Sequence, residues 1–280
     1  MSNDLGFIKS SIIISVYKDV ESLNLILRSL KAQTVDNFEV IVSEDGESSE
    51  IKSYITQQEH FKSIKHLTQK DNGFRKNRAL NRAILSSSSN HLILIDGDCL
   101  PHSNFVKSHQ KYIKPGIACT GRRVELDENT SRKIRCEKIS LSQLNNPIWY
   151  ILNMLSFIRN KTNDYPLGLP LSILQPFTEN RKIGLLGCNM SVHKEDIFKI
   201  NGFNEDYKMA GIGEDSDIEW RLKKININIK NIKFSAKQYH LYHKRGYSQS
   251  DGNLAIMRET QSENRFYCKK GINQRKYEFR

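Results

Sequence analysis

The sequence predicts an α/β fold in which a Rossmann-like, mostly parallel central sheet is flanked by helices and interrupted by an irregular, partly helical insertion. Two observations lead to this prediction. Apolar runs typical of buried strands alternate with segments whose apolar residues recur every three or four positions, as on one face of a helix. The alternation weakens from Pro101 onward and resumes near Ile183. The first half is therefore expected to consist of right-handed βαβ units.

The elements of this first half follow from local patterns. Strands are predicted where β-branched or other apolar residues run together, and helices where apolar positions follow helical spacing. In chain order the predicted elements are a strand at Ser11–Tyr17, a helix at Glu21–Ala32, a strand at Phe38–Ser43, a short helix around Ile51–Ile55, a strand at Ile64–Leu67, a helix at Arg75–Leu85 and a strand at Leu92–Ile95.

The second half is predicted to contain the insertion, at about residues 122–182. This stretch holds four of the six prolines and an apolar segment, Ile148–Ile158, which is expected to pack on the body, with a peripheral membrane contact as an alternative. Beyond it the predicted elements are a regular segment at Ile183–Val192, helices at Lys194–Ile200 and Ser216–Lys224, and a strand near Ile229–Phe234.

One domain is predicted for residues 1–245, with a first half at 10–100, a second half at 101–245 and a basic extension at 246–280. A chain of 280 residues is long enough to bury a substantial core. The five cysteines are scattered without a CxxC spacing, so neither a disulfide framework nor a zinc site is expected. Without a secretory signal or a membrane span in the sequence, a cytoplasmic protein is predicted, with peripheral contact to the inner face of the cell membrane as the open alternative.

The charge is strongly positive, at +12, and it is unevenly distributed. Residues 220–250 contain eight Lys or Arg and no Asp or Glu. An anionic partner would explain this bias: a nucleotide diphosphate, an anionic lipid surface or nucleic acid. The alternative is a solvated basic surface without a specific partner.

Two carboxylates follow the predicted strand that ends at Ile95, in the tripeptide Asp96-Gly97-Asp98. Ligands of open α/β sheets collect at the carboxyl ends of strands, and paired carboxylates can hold a hard divalent cation that neutralises phosphate oxygens. The pattern predicts a metal-diphosphate site, while an ordinary Asp-Gly turn remains the alternative. Val16-Tyr17 and Glu44-Asp45-Gly46 end neighbouring strands, so Asp45 is a candidate for contacting a base or ribose, or else forms an Asx turn.

Two further segments combine glycine with charged residues. Arg75, Arg78 and Arg82 share a helical face that could bind phosphate or simply be solvated. The Gly211–Gly213 loop precedes a carboxylate-rich helix start, where Asp215 could act as a general base if the loop brought it over a bound sugar, although acids are also favoured there by helix capping. The segment Tyr239–His243 offers an imidazole that could complete a Mn²⁺ site with the Asp98 carboxylate, although a lone histidine is more often structural.

Taken together, these motifs resemble the family 2 glycosyltransferases of GT-A fold, in the branch of the galactosyltransferase and chondroitin-polymerase type. Their order and spacing agree over about residues 10–245. The matching segments are Ile12–Val16, Glu44–Gly46, Gly73–Arg75, Asn81–Ile84, Ile95–Pro101, Gly187–Ser191, Asn201–Glu205, Glu214–Asp217 and His240–His243.

The resemblance implies metal-dependent, inverting transfer of a hexose or N-acetylhexosamine from a nucleotide-diphosphate sugar, expected to be UDP-linked, to a glycan or lipid-linked glycan in bacterial surface polysaccharide or glycolipid synthesis. Mn²⁺, with Mg²⁺ as the alternative, is the implied cofactor, and its implied ligands are Asp98 and His243. Asp215 is the implied base, and Glu214 and Gly213 are the implied acceptor-binding residues. The implied donor-binding residues are Ser15, Val16, Tyr17, Asp45, Arg75, Asn81, Asp96, Gly97, Asp98 and Asn189.

Two departures from the family pattern affect these expectations. The segment before Glu214 lacks the tryptophan that often stacks on a sugar, so stacking on the acceptor is expected from Tyr207, Trp149 or Tyr150. Glu44 replaces the usual first aspartate of its turn, which lengthens that side chain at the base-binding position.

Two other functions fit parts of the sequence. A nucleotidyltransferase acting on sugar phosphates would also use a Rossmann-like half with metal carboxylates, but it predicts a phosphate loop that residues 15–19 lack. A basic nucleic-acid-binding module would use Tyr239, Tyr242 and Tyr247 among the positive charges, but no reading motif accompanies them. Nucleic acid is therefore not an expected partner.

Overall fold

The structure is a computed structural model that describes residues 7–58, 61–169, 171–211, 213–244 and 251–274. Ile212 of the glycine loop and Tyr247, considered above for nucleic-acid binding, lie outside these ranges. The strands are β1 (Ser10–Val16), β2 (Phe38–Glu44), β3 (Ile64–Leu67), β4 (His91–Asp96), β5 (Cys99–Pro101), β6 (Ile117–Thr120), β7 (Arg122–Glu125), β8 (Asn189–His193), β9 (Asn228–Asn231) and β10 (Lys237–His240).

Helices lie between most of these strands. They are α1 (Val20–Lys31), α2 (Ser49–Thr56), α3 (Lys76–Ser86), α4 (Phe105–Tyr112), α5 (Glu128–Arg135), α6 (Leu141–Asn145), α7 (Pro147–Leu152), α8 (Met154–Arg159), α9 (Lys194–Lys199), α10 (Glu214–Lys224) and α11 (Asp251–Ser262). Short 3₁₀ helices occur at Tyr165–Gly168, Leu171–Phe177 and Ile272–Gln274.

The large sheet has the strand order β3-β2-β1-β4-β8-β6-β9. Its strands run parallel except for β8, which is antiparallel to β4 and to β6. A small second sheet has the order β5-β10-β7. The predicted mostly parallel sheet is therefore present, and the small sheet places the end of β10 beside the turn that follows β4.

Both faces of the large sheet are buried. Successive β1 residues alternate between the two core clusters, because Ile12 and Ile14 pack on one side and Ile13 on the other. This two-sided burial explains the continuous apolar runs of the central strands, since a strand covered on both faces needs no polar alternation.

The region predicted as an insertion is more regular at its start than expected. Its first residues form β7, which pairs in parallel with β10, so residues 122–125 belong to the body. The prediction for Ile183–Val192 was wrong in its first part, because regular structure begins only at Asn189. A purely local pattern could not show that β7 has a partner more than a hundred residues away.

The described part of the C-terminal extension packs on the body. Ile272 donates its backbone N–H to the Asn201 carbonyl at 2.9 Å, and the Cys268 side chain is buried. The Asn201 amide in turn donates to the Cys268 carbonyl at 2.8 Å. Residues 251–274 therefore stabilise the segment that precedes α10.

Helix α10 is fixed in the core by a buried arginine. Arg221 has no exposed surface; its Nε lies 2.7 Å from Asp217, and its Nη1 donates to the Ile200 and Gly202 carbonyls at 3.0 and 2.7 Å. Replacing Arg221→Met leaves a buried carboxylate and two carbonyls without their donor. We expect unfolding free energy to fall by about 3 kcal/mol, measured by urea denaturation.

The matched control is Lys223→Met on the same helix. Lys223 pairs with Glu219 at the same i, i+4 spacing, but its side chain is largely exposed. Exposed pairs contribute little, so a loss of less than about 1 kcal/mol is expected. Equal losses for the two variants would contradict the role given to burial.

Candidate active site

A cavity opens at the carboxyl edge of the large sheet, where β1, β2 and β4 end. The strand register aligns these ends, since Ser15 is paired with Asp96 and Val16 with Glu44. Its volume of about 540 Å³ suits a small-molecule ligand. The predicted site residues that line it are Ser15, Val16, Tyr17, Asp45, Asp96, Gly97, Asp98 and His243.

The turn after β4 depends on Gly97. A Cβ atom at this position would lie 2.6 Å from the Ser15 carbonyl oxygen, closer than a side chain tolerates. The Asp98 carbonyl accepts a hydrogen bond from the Leu241 N–H at 2.9 Å. The turn is therefore held between β1 and the residue that follows β10, with the Asp96 and Asp98 carboxylates at the cavity.

Asp98 forms a three-residue cluster with two histidines. Its Oδ2 lies 3.3 Å from Nε2 of His240 and 3.3 Å from Nε2 of His243. One potential ligand atom from each residue lies within 4.8 Å of the others. The remaining ring nitrogen of His240, Nδ1, is 2.8 Å from Glu125 on β7. A carboxylate in that position fixes the orientation of a metal-ligating imidazole.

The electrostatics of this cluster favour positive charge. Burial alone would raise the pKa of Asp98, but hydrogen bonds from His240 and His243 outweigh it and lower that pKa. Burial likewise lowers the pKa of His240, yet Asp98 and Glu125 outweigh it and raise the pKa to about 9. The carboxylates thus favour a positive charge at this position, and a divalent cation that displaces the imidazole protons would find one oxygen and two nitrogen donors there.

His240 was missing from the predicted ligands, although it stands three residues before His243 in the same motif. The sequence could not distinguish the two histidines, because it does not show that β10 ends beside the Asp98 turn. That adjacency arises from the pairing of His240 with Cys99 in the small sheet.

Lys76 lies between the carboxylate of Asp96, in the turn after β4, and that of Glu214, at the start of α10. Its Nζ lies 2.9 Å from Asp96 and 3.4 Å from Glu214, and its side chain is 21% exposed. Burial disfavours the charged ammonium, but Asp96, Glu214 and Asp215 outweigh it and raise the pKa of Lys76. Lys76 was not among the predicted site residues, because the prediction for this helix start rested on the spacing of its arginines.

Asp215 lies at the start of α10, beside Gly187. Its Oδ2 accepts the Gly187 N–H at 2.9 Å, and a Cβ on Gly187 would lie only 2.2 Å from its Oδ1. Burial raises the pKa of Asp215, while Lys76 and the Gly187 N–H oppose that rise. Burial also raises the pKa of Glu214, whose Oε2 is buried and has no hydrogen-bond partner among the described residues.

Asp45 lines the cavity with its carboxylate already hydrogen-bonded. It accepts from Gln69 Nε2 at 2.7 Å and from the Arg75 backbone N–H at 2.6 Å. The Arg75 guanidinium donates to the Phe74 carbonyl and is not among the groups lining the cavity. Arg75 therefore contributes its backbone to the position of Asp45, whereas Phe74 lines the cavity itself.

Two asparagines predicted at the donor site lie in the core instead. Asn81 is fully buried, donates to the Phe203 carbonyl at 2.8 Å and accepts the Phe203 N–H at 2.9 Å. Asn189 is also fully buried and donates to the Arg122 and Ala236 carbonyls at 2.8 and 3.0 Å. Their amides hold loops of the site in place and do not reach the cavity.

The expected aromatic residues for stacking on an acceptor are placed differently. Tyr150 and Tyr207 are each 1% exposed, so neither presents a ring to a ligand in this structure. Trp149 packs edge-on against Phe157 within the inserted region. Arg135 on α5, which the sequence did not indicate, lines the cavity and pairs with Glu21 at 2.8 Å.

Two family models match consecutive parts of the chain. The model of glycosyl transferase family 2 matches residues 11–168, more than half of the chain. The model described as the N-terminal domain of galactosyltransferase matches residues 173–244. Their junction falls within the inserted region, so the two matches cover both the Asp98 turn and the Glu214-Asp215 helix.

Among curated proteins, the chain is similar to chondroitin synthase of Escherichia coli, with 25% identity over 245 residues. The match covers 82% of this chain but 34% of that protein, so the chain spans about a third of its relative.

Solved structures show the same fold. A mannosyltransferase from Pyrobaculum calidifontis, PcManGT, in complex with GDP-Man and Mn²⁺, aligns with a TM-score of 0.56 and 14% identity over 93% of this chain and 63% of its own. GalNAc-T7 with UDP, GalNAc and Mn²⁺ aligns with a TM-score of 0.59 and 12% identity over 92% of this chain and 48% of its own. The predicted GT-A fold class is confirmed.

Proposed function

The chain belongs to glycosyl transferase family 2, and from this premise we propose that it moves a hexose or N-acetylhexosamine from a UDP-linked donor to a glycan hydroxyl with inversion. That the protein is a glycosyltransferase follows from its family. The observation that carries the finer proposal is the Lys76 bridge, because it joins Asp96 of the cavity turn to Glu214 within 2.9 and 3.4 Å. Donor-side and acceptor-side carboxylates thus adjoin in one site.

A divalent metal ion, Mn²⁺ or Mg²⁺, fits the residues present. Asp98, His240 and His243 would hold it, with Glu125 orienting His240. When bound, the metal ion would supply positive charge that stabilises the departing diphosphate. Two structural neighbours are described in complexes with Mn²⁺, which supports the choice of ion.

The donor is proposed to occupy the 540 Å³ cavity. Asp45 would accept from the N–H of a uracil base, and the rings of Tyr17 and Phe74 offer apolar faces at the same cavity. Arg135 would add a guanidinium suited to phosphate oxygens. UDP is proposed as the nucleotide because GalNAc-T7 and S. aureus TarS are each described in a complex with UDP.

Asp215 is proposed as the general base. The acceptor oxygen bonds to the anomeric carbon while the bond from that carbon to the diphosphate oxygen breaks, and the acceptor proton passes to Asp215. A single displacement of this kind inverts the configuration at the anomeric carbon and needs no nucleophilic side chain that bonds to the sugar. Glu214, with its unpartnered buried Oε2, would bind an acceptor hydroxyl beside it. Gly213 begins this helix as its N-cap residue.

The acceptor is proposed to be a polysaccharide or a lipid-linked glycan of a bacterial surface. A screen of sugar nucleotides with Mn²⁺ and oligosaccharide acceptors, measuring release of nucleoside diphosphate and growth of the acceptor, tests the proposal. Release of pyrophosphate from a nucleoside triphosphate and a sugar phosphate would instead indicate a nucleotidyltransferase. A screen without acceptor growth for any UDP-sugar would contradict the UDP assignment.

Lys76 gives a prediction with a pH readout. Its ammonium opposes the rise in the pKa of Asp215 and Glu214 that burial causes. In Lys76→Met that opposition is lost and both pKa values rise further, so a higher pH is needed to ionise the base. We expect the acid limb of the kcat–pH profile to move up by about one pH unit.

Lys76→Arg is the control, because it keeps the positive charge between Asp96 and Glu214. Its acid limb should stay near that of the unmodified enzyme, even if kcat falls through altered geometry. An unshifted acid limb in Lys76→Met would overturn this role for Lys76.

A further inference from the structure

Helices α7 and α8 expose apolar side chains on the face directed away from the body. Their inner face is anchored, since Tyr150 donates to the Tyr165 carbonyl at 2.9 Å and its ring centroid lies 6.1 Å from that of Tyr239 on β10. The exposed apolar residues of these two consecutive helices form what we call the apolar ridge: Ile148, Ile151, Leu152, Leu155 and Ile158.

The ridge is unusual for a surface in water. Ile148, Leu152 and Leu155 are 70%, 76% and 80% exposed. A helix that is apolar on both its inner and outer faces is normally covered on both, and large exposed apolar patches mark interaction sites. The outer face therefore indicates a second surface that covers it.

A groove with a positive lining adjoins the ridge. Pro147, the first residue of α7, is among the residues that line this groove, whose volume is about 850 Å³. None of the described residues that line the groove is Asp or Glu. Its basic lining, which we call the lysine groove, consists of Lys9, Lys107, Lys111 and Lys237. Lys237 is buried and its Nζ donates to the Leu169 carbonyl at 2.5 Å, so the lysines of the groove that can face a ligand are Lys9, Lys107 and Lys111.

We propose that the apolar ridge and the lysine groove together dock this protein on a bilayer surface that carries anionic headgroups. Apolar side chains would enter the boundary between headgroups and acyl chains, while the lysines would face lipid phosphates. The contact is peripheral: among the described residues no helix has the length and apolar character needed to cross a bilayer.

The positive charge of this surface disfavours a second copy of the chain as the partner that covers it. A second copy of the chain would bring another net charge of +12 to a surface whose groove is already lined by lysines. Like charges at an interface are unfavourable. An anionic bilayer offers both properties that the surface needs, an apolar interior and negative charge.

The proposed surface leaves the catalytic cavity open. Lys9 immediately precedes β1 and so lies at the amino edge of the sheet, whereas the donor cavity lies at the carboxyl edge. Membrane docking does not depend on the proposed glycosyl transfer, because vesicle binding can be measured without a sugar nucleotide.

The test is flotation of the full chain with vesicles of phosphatidylcholine alone and of phosphatidylcholine and phosphatidylglycerol at about seven to three. We expect flotation only with the mixed vesicles. Leu152→Ser combined with Leu155→Ser should reduce bound protein by about tenfold or more, since both side chains are exposed and their loss spares the core. Lys107→Glu combined with Lys111→Glu should do the same.

Lys52→Glu combined with Lys224→Glu is the matched control. It changes net charge by the same amount at exposed lysines outside the groove and should retain flotation. Equal loss in this control would show that net charge alone binds the vesicles, and would overturn the proposal. Flotation on pure phosphatidylcholine, no flotation at all, or a dimer in solution that the two leucine substitutions abolish would also overturn it.

Discussion

Asp215→Asn is expected to reduce glycosyl transfer by about a thousandfold or more while leaving donor binding nearly unchanged. The asparagine has nearly the same size and shape as the aspartate that it replaces. Its amide oxygen can still accept a hydrogen bond from the Gly187 N–H, whose nitrogen lies 2.9 Å from Asp215 Oδ2 in the unmodified protein. It cannot take a proton at neutral pH. The measurement is steady-state release of UDP with acceptor present, together with UDP affinity from calorimetry.

Burial gives this prediction its pH dependence. The pKa of Asp215 is raised by burial, so the base is protonated, and activity is lost, as pH falls through that raised value. Glu195→Gln, an exposed acid on the first turn of α9, is the control and should leave turnover unchanged. Substantial transfer by Asp215→Asn would contradict the assignment of the base.

Asp98→Ala is expected to abolish metal-dependent nucleotide binding, with a loss of UDP affinity in the presence of Mn²⁺ of about a hundredfold or more. The alanine removes the carboxylate whose Oδ2 lies 3.3 Å from Nε2 of both His240 and His243. Transfer should fall with it. Chelation of the metal in the unmodified enzyme should reproduce the loss of affinity.

Two further substitutions distinguish a loss of metal binding from a disturbance of the Asp96-Gly97-Asp98 turn. His240→Ala should weaken Mn²⁺-dependent binding as Asp98→Ala does, while Glu125→Gln should weaken it by only about tenfold, because Glu125 acts through His240. Asp36→Ala, at an exposed acid distant in sequence from the turn, should have no effect. If Asp98→Ala bound UDP in the presence of Mn²⁺ as tightly as the unmodified enzyme does, the metal site would be contradicted.

The local patterns of the first half were sufficient to predict its elements. The strand at Ile64–Leu67 was predicted with the bounds that the structure has, and the other predicted elements of this half differ by a few residues at their ends. Buried parallel strands need continuous apolar residues, and that requirement is visible in the sequence without knowing the partners. The Asp96-Gly97-Asp98 turn was predictable for the same reason, because it directly follows such a strand.

Side-chain function was less predictable where a polar group could serve either a ligand or the core. Asn81 and Asn189 were predicted as donor-binding residues from the family resemblance, yet their amides bind backbone groups inside the protein. An asparagine has the same donors and acceptors in both settings. Only its burial and its neighbours distinguish a core amide from a ligand-binding one.

The sequence by itself determined the α/β architecture, the carboxyl-edge position of Asp45 and Asp98, and the family to which the chain is similar. The tertiary structure decided that His240 joins Asp98 and that Lys76 stands between Asp96 and Glu214. The His240–Asp98 and Lys76–Glu214 contacts join residues more than a hundred positions apart, through the pairing of β10 with β5 and the position of the α10 start beside that of α3. Local periodicity specifies what a segment buries but not which distant segment covers it, so such contacts arise only when the chain folds.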